Sequence, residues 1–157
     1  MKKIYCAGPF VFRAPDARKK VESWLSLELR SQQLDSIFPF DEDSHDAGKI
    51  REVNLLRLEE SDGVLADLRP FRGADPDAGT VYECAWANCM DIPLAAYAGP
   101  GTYEKNVKNH LSGKSDYRVE KFGMRCNLML GGDVYITALE AIQSLNAMIH
   151  HQSSHVG

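Results

Sequence analysis

The chain has 157 residues, 44% of them hydrophobic and 25% charged, with a formal charge of −4, values ordinary for one soluble globular domain spanning 1–157. A chain of this length buries roughly 68–70% of its unfolded surface, so neither a disulfide nor a metal is needed to hold it together. The net negative charge argues against nucleic acid as a partner, since backbone readers present a basic face, and no apolar run is long enough for a signal peptide or a membrane span, so a cytoplasmic protein is expected.

Ile4 to Ala7 is short and apolar and stops at Gly8-Pro9, a first strand and its loop. From Pro15 to Gln32 the apolar residues Val21, Trp24, Leu25 and Leu29 recur at helical spacing. Ser36 to Phe40 reads as a second strand, stopped by the acidic run that begins at Asp41. Helical spacing returns in Ile50, Val53, Leu55, Leu56 and Leu58. Gly63 to Leu68 is a third strand, Thr80 to Cys89 a helix and Ile92 to Ala98 a fourth strand. Residues 99–126, rich in Gly, Lys and polar side chains, read as a long loop of the kind used for lids or partner-binding arms. A closing helix runs from Asp133 to about His150, followed by a basic tail whose three histidines have no Cys or carboxylate partner at ligand spacing, so no metal is expected. The alternation of strand and helix argues for an α/β fold with a mostly parallel sheet and helices on both faces. The four cysteines, at 6, 84, 89 and 126, form no C-x-x-C pair and are expected to be reduced. Neither G-x-G-x-x-G nor G-x-x-x-x-G-K-[ST] occurs, so no cofactor is expected either.

The segment DLRPFRGADPDAGTVYE, 67 to 83, stands out. It leaves the third strand, crosses a loop dense in Asp, Arg, Pro and Gly, and delivers Glu83 into a helix. Open α/β sheets keep their ligands at such strand ends. Asp67, Asp75, Asp77 and Glu83, confined to one cleft, are expected to be driven to different pKa values, one ionised and another holding a proton. Thr80-x-x-Glu83 also fits a capping box, which would make Glu83 purely structural. Against that, the loop carries three more carboxylates than a cap needs, and Gly79 admits close approach of a ligand to the backbone. A helix N-terminus favours a carboxylate by about 0.3–1 kcal/mol, so Glu83 is expected to be ionised at neutral pH and suited to nucleophilic work. The proton donor is then sought among Asp67, Asp75 and Asp77.

DGVLADLRPFRGADPDAGTVYECAWA resembles the signature of the nucleoside 2-deoxyribosyltransferases. IYCAGPFVF resembles that family's first strand and loop, PFD at 39–41 its second-strand end, and CNLML at 126–130 its N-L-M-L segment. The resemblance implies a flavodoxin-like fold and transfer of 2-deoxyribose between nucleobases, with small deoxynucleosides and free bases as partners. It implies that Glu83 is the nucleophile, that Asp77 contacts sugar and base, and that Tyr5 lies near the nucleophile. Asn127 matches an asparagine lent by a neighbouring subunit, which implies a homo-oligomer. Asn54 stands where some members carry an aspartate that helps protonate the base, and Asp67 where related members often carry asparagine. Where founding members place a C-terminal tyrosine in the site, this sequence has Val-Gly. Gly8, Phe10, Phe12, Asp41 and Gly79 complete the expected substrate contacts, with Phe10, Phe12 or Phe40 as surfaces for a flat base.

Each of these residues also has a plain structural reading. Tyr5 suits a core or an interface, Asn127 suits the cap of Leu128–Leu130, Asp41 suits a turn, and Phe10 and Phe12 suit the core. The chemistry expected is that of retaining glycosidases: Glu83 attacks C1′, and a carboxylic acid, Asp77 or Asp67, protonates the leaving base. Two rival functions share the sequence. One is hydrolysis of deoxynucleoside 5′-monophosphates, with Arg13, Arg18 and Lys19 meeting the phosphate. The other is a non-catalytic nucleotide-binding module.

Overall fold

The computed structural model of the protein describes residues 1–39, 46–112, 116, 118–130 and 132–153. Five parallel strands, β1 (Lys2–Ala7), β2 (Leu34–Ile37), β3 (Gly63–Asp67), β4 (Leu94–Tyr97) and β5 (Val134–Tyr135), lie in the order β2-β1-β3-β4-β5. This is the flavodoxin-like order, in which the crossovers reverse direction between β1 and β3 and open a crevice at the carboxyl ends of those strands. The principal helices are α1 (Pro15–Ser31), α2 (Ala47–Glu59), α3 (Ala78–Cys89), α4 (Tyr103–Leu111) and α5 (Ala138–Ser153); short 3-10 turns occupy Pro9–Phe12 and Leu128–Leu130.

Strand alternation sends successive side chains to opposite faces of the sheet. Ile4, Cys6, Leu65 and Tyr97 join Leu25 and Leu29 of α1 and Ile142, Leu145 and Ile149 of α5 in one apolar cluster. Tyr5, Ala7, Val64, Ala66 and Ala96 join Leu58 of α2 and Cys84 and Ala87 of α3 in the other. The expected α/β architecture with helices on both faces is the one observed.

Several boundaries differ from the sequence reading. The second strand begins at Leu34 rather than Ser36 and ends before Phe38. It is an edge strand, so Asp35 and Ser36 can interrupt its apolar run without being buried. Residues 99–126 contain α4, whose N-cap Thr102 accepts from the Lys105 amide at 3.3 Å. α4 has no fully buried residue; its apolar stripe is only the half-buried Tyr103, Val107 and Leu111, four apart, which the reading as loop passed over. The closing helix starts at Ala138 because the preceding residues form the two-residue fifth strand, which was read as helix. Among the described residues no helix is long and apolar enough to cross a membrane.

Candidate active site

Asp77 is the N-cap of α3. Its Oδ2 accepts from the Thr80 amide at 2.9 Å and the Thr80 hydroxyl at 3.0 Å. Thr80 is therefore three residues inside the helix, not its cap, and the Thr80–Glu83 capping box, the structural alternative for Glu83, is not formed. With the helix starting at Ala78, Glu83 lies in the second turn, where the terminal partial charge has largely faded. Its carboxylate turns to the sheet and accepts the Tyr5 hydroxyl at 2.6 Å, joining residues 78 apart in sequence.

This geometry overturns the expected ionisation. Burial pushes the Glu83 carboxyl up to about 7; the Tyr5 hydrogen bond works against that rise and the nearby charge of Asp77 adds to it. The raised carboxyl is thus Glu83 itself, because desolvation outweighs a helix terminus one turn away. Burial, and then the Glu83 charge, raise the Tyr5 hydroxyl well above its ordinary range, so Tyr5 stays a donor.

Asp67 belongs elsewhere. It follows Ala66 on β3, so it shares the Leu65 face, opposite Tyr5. At 1% exposure it is held by the Arg69 guanidinium through Nε at 2.8 Å and Nη2 at 2.6 Å, and by the Arg69 amide at 3.2 Å. The guanidinium lies over the Tyr97 ring, 5.3 Å from its centroid. A carboxylate engaged on both oxygens by a fixed cation, on the other side of the sheet, does not share a cleft with Glu83 and is not placed to protonate a base there. Asp75 is also separate: its Oδ1 accepts the Tyr103 hydroxyl at 2.7 Å.

The remaining candidates divide similarly. Phe10 is 1% exposed and packs edge-on to Phe38 at 5.9 Å; it is a core residue and offers no face to a base. Gly8 makes room for it, since a Cβ there would lie 2.6 Å from the ring and 3.1 Å from the Asp67 Cβ. Phe12, 54% exposed, stacks on Phe71 at 5.4 Å, and the Arg72 guanidinium lies 4.7 Å from each centroid. This clamp joins the loops after β1 and β3. Gly79 sits in the first turn of α3, where a Cβ would lie 3.1 Å from the Asp77 capping oxygen. Asn54 is half-buried on α2. Asn127 Oδ1 accepts the Met129 amide at 2.9 Å, capping the Leu128–Leu130 turn, while its Nδ2 donates to Glu120 at 3.0 Å. Phe40 and Asp41 lie outside the described residues.

The Glu83 neighbour Cys84 is buried, its thiol pushed up to about 12 by desolvation, so it stays protonated and does not compete as a nucleophile. A cavity of about 270 Å³ lies along α3, lined by Cys84, Asn88, Met129, Leu130 and Val134; neither Tyr5 nor Glu83 nor Asp77 lines it. Among the described residues no group of three or more His, Cys, Asp or Glu is arranged to hold a metal ion. Sequence reasoning passed over Arg69 and Tyr103. Arg69 was detectable in the D-x-R spacing, whereas Tyr103 lay in a stretch read as loop.

A family model described as nucleoside 2-deoxyribosyltransferase matches residues 4–129. The structure is similar to a 2-deoxyribosyltransferase from Leishmania mexicana, at 30% identity over 94% of this chain and 98% of that one, with a TM-score of 0.81. It shares its fold with a 2-deoxyribosyltransferase of Bacillus psychrosaccharolyticus (15% identity, 85% and 98% covered, TM-score 0.51). It also shares it with a CMP N-glycosidase of Clostridium botulinum (16% identity, 93% and 99% covered, TM-score 0.52). No curated protein matches the chain at the sequence level.

Proposed function

Because the chain belongs to the nucleoside 2-deoxyribosyltransferase family, we propose that it exchanges nucleobases on 2-deoxyribonucleosides through a covalent intermediate on Glu83. The observation that carries this reading is the Tyr5–Glu83 hydrogen bond at 2.6 Å, in a buried setting next to Asp77. A free carboxylate on a surface is too well solvated to attack a sugar carbon; one stripped of water and aimed by a single donor is held ready.

In the ionised form an oxygen of Glu83 attacks C1′ of the bound nucleoside. The C1′–N bond breaks with oxocarbenium character, and its electron pair passes to the departing base. Asp77 is the group proposed to protonate that base, in the form of the site whose one proton lies on Asp77 and leaves Glu83 ionised. Its capping bonds fall on Oδ2, which leaves Oδ1 for substrate. The second base then attacks the same carbon, giving its proton to Asp77 and freeing the Glu83 carboxylate, so two inversions retain the β configuration. Phe12, stacked on Phe71 beside the loop, is the exposed aromatic surface proposed for a base. Asn54 and Asn127 are proposed to contact the substrate, Asn127 in a neighbouring subunit's site. The amide oxygen of Asn127 keeps one lone pair beyond its bond to Met129.

The proposed assembly is a homo-oligomer in the cytoplasm. Its support is an exposed apolar stripe on α3: Tyr82 stacks on Trp86 at 6.0 Å, and Met90 continues the same helix face. Transfer is favoured over phosphate-dependent hydrolysis by the 30% identity to a 2-deoxyribosyltransferase over 94% of this chain.

Incubation of the protein with thymidine and adenine, resolved by chromatography, tests the reading. Transfer yields deoxyadenosine, hydrolysis yields thymine and free deoxyribose, and a binding module leaves both reactants unchanged. Glu83→Ala should lower exchange by at least about a thousandfold and abolish the sugar–protein adduct seen by mass spectrometry. Exchange at the wild-type rate in that variant would remove the nucleophile assignment.

A further inference from the structure

The acidic loop and the segment bearing Asn127 are far apart in sequence, yet one side chain touches both. The Tyr103 hydroxyl donates to Asp75 Oδ1 at 2.7 Å, and the Asn127 side chain lies beside that hydroxyl. The Tyr103 amide donates to the Met124 carbonyl at 2.8 Å, which ties the start of α4 to the chain entering Asn127. On the loop side, the Phe71 amide donates to the Asp75 carbonyl at 2.8 Å, closing a tight turn two residues before the Asp77 cap. On the other side, Cys126 is buried in the same apolar cluster as Cys84, the residue after Glu83. Glu120 completes the arrangement by accepting both the Asn127 amide at 3.0 Å and the Leu128 backbone at 3.3 Å.

We propose that Tyr103 is a positioning residue: its hydroxyl holds Asp75 and its amide holds the chain entering Asn127, so that the acidic loop of one protomer fixes the Asn127 that this protomer lends to the neighbouring site. The proposal rests on the transferase reading. It assigns work to α4, which fully buries no residue of its own and so contributes little to the core. Tyr103 takes no part in bond making; it sets where Asn127 stands when the sugar arrives. Loss of the hydroxyl therefore weakens capture of the nucleoside and leaves the chemical step largely intact, since the Tyr5–Glu83 bond is untouched.

The test compares wild type, Tyr103→Phe, Asp75→Ala, Asp75→Asn and the Tyr103→Phe/Asp75→Ala double variant. For each, steady-state transfer from thymidine to adenine is measured beside the calorimetric Kd for thymidine. Tyr103→Phe should raise KM and Kd about three- to tenfold, the scale of one ordinary hydrogen bond, with kcat within about twofold. Asp75→Ala should do the same, and the double variant should be no worse than either single one, because both remove one contact. Asp75→Asn keeps an acceptor oxygen and should restore KM to within about twofold of wild type. Unchanged KM and Kd in Tyr103→Phe, or losses that add in the double variant, would overturn the positioning role. If wild type binds thymidine without transfer, the transferase reading fails while the Kd series still decides whether Tyr103 organises the sugar site. If wild type neither binds nor transfers, both fall.

Discussion

A glutamate held near neutrality has a measurable consequence for rate. With its carboxyl pushed up to about 7 beside the Asp77 charge, Glu83 is about half-protonated in the free protein at that pH, and well above it the pair holds no proton. The proposed reaction needs Glu83 ionised and one proton on Asp77, so kcat/KM, which reports the free enzyme, should fall as pH rises through about 7, tenfold per unit well above it. The Tyr5 bond lowers the Glu83 pKa, so Tyr5→Phe should move this limb upward by up to about one unit. A limb that stays in place in that variant would mean that another group controls it. At this scale the sequence offered Tyr5, Asp77 and Glu83 by resemblance, but not their electrostatics. Which way a carboxyl shifts depends on how much water its neighbours exclude, and that is a property of packing across 78 residues. For Asp67 the strand pattern did hold the answer: its parity with Leu65 puts it on the face away from Tyr5.

Two Thr-x-x-Glu patterns in this chain show what a helix start can and cannot tell from sequence. At Thr137 the capping box is real: Glu140 Oε2 accepts the Thr137 amide at 2.9 Å, and the Thr137 hydroxyl accepts the Glu140 amide at 3.2 Å. At Thr80 the same letters form no box, because Asp77, three residues earlier, has already taken the cap. The competition between Asp77 and Thr80 frees Glu83 for Tyr5. Asp77→Ala should accordingly cost about 0.5–2 kcal/mol in a denaturant titration, whereas Asp77→Asn, still a good cap, should cost much less. Asp77→Asn should nonetheless lose turnover as severely as Asp77→Ala, since an amide cannot supply the proton. If the two variants lose activity in proportion to stability, Asp77 is a cap and nothing more. Strands and helices with a buried face were legible from spacing. The ones missed, α4 and β5, are a helix with nothing fully buried and a strand of two residues.

The parallel order β2-β1-β3-β4-β5 explains why residues from opposite ends of the sequence converge. β1 lies between β2 and β3, so Tyr5 comes to face the helix that follows β3. The alternating elements pointed to this α/β class, and the family resemblance supplied the flavodoxin-like form. If the α3 stripe joins protomers, wild type should sediment as a multiple of the 17.5 kDa chain, and Tyr82→Ser with Met90→Ser should reduce it to the protomer. A wild type that already sediments as a single chain would end that proposal. Of the four cysteines only Cys89 is exposed, and it follows Tyr82 by two helical turns, placing it along the same stripe. The protein thus carries its own chemical wedge: a bulky maleimide attached to the native thiol would prise such an assembly apart about 9 Å along the helix from Glu83, with no mutation made and the other three thiols shielded by the core.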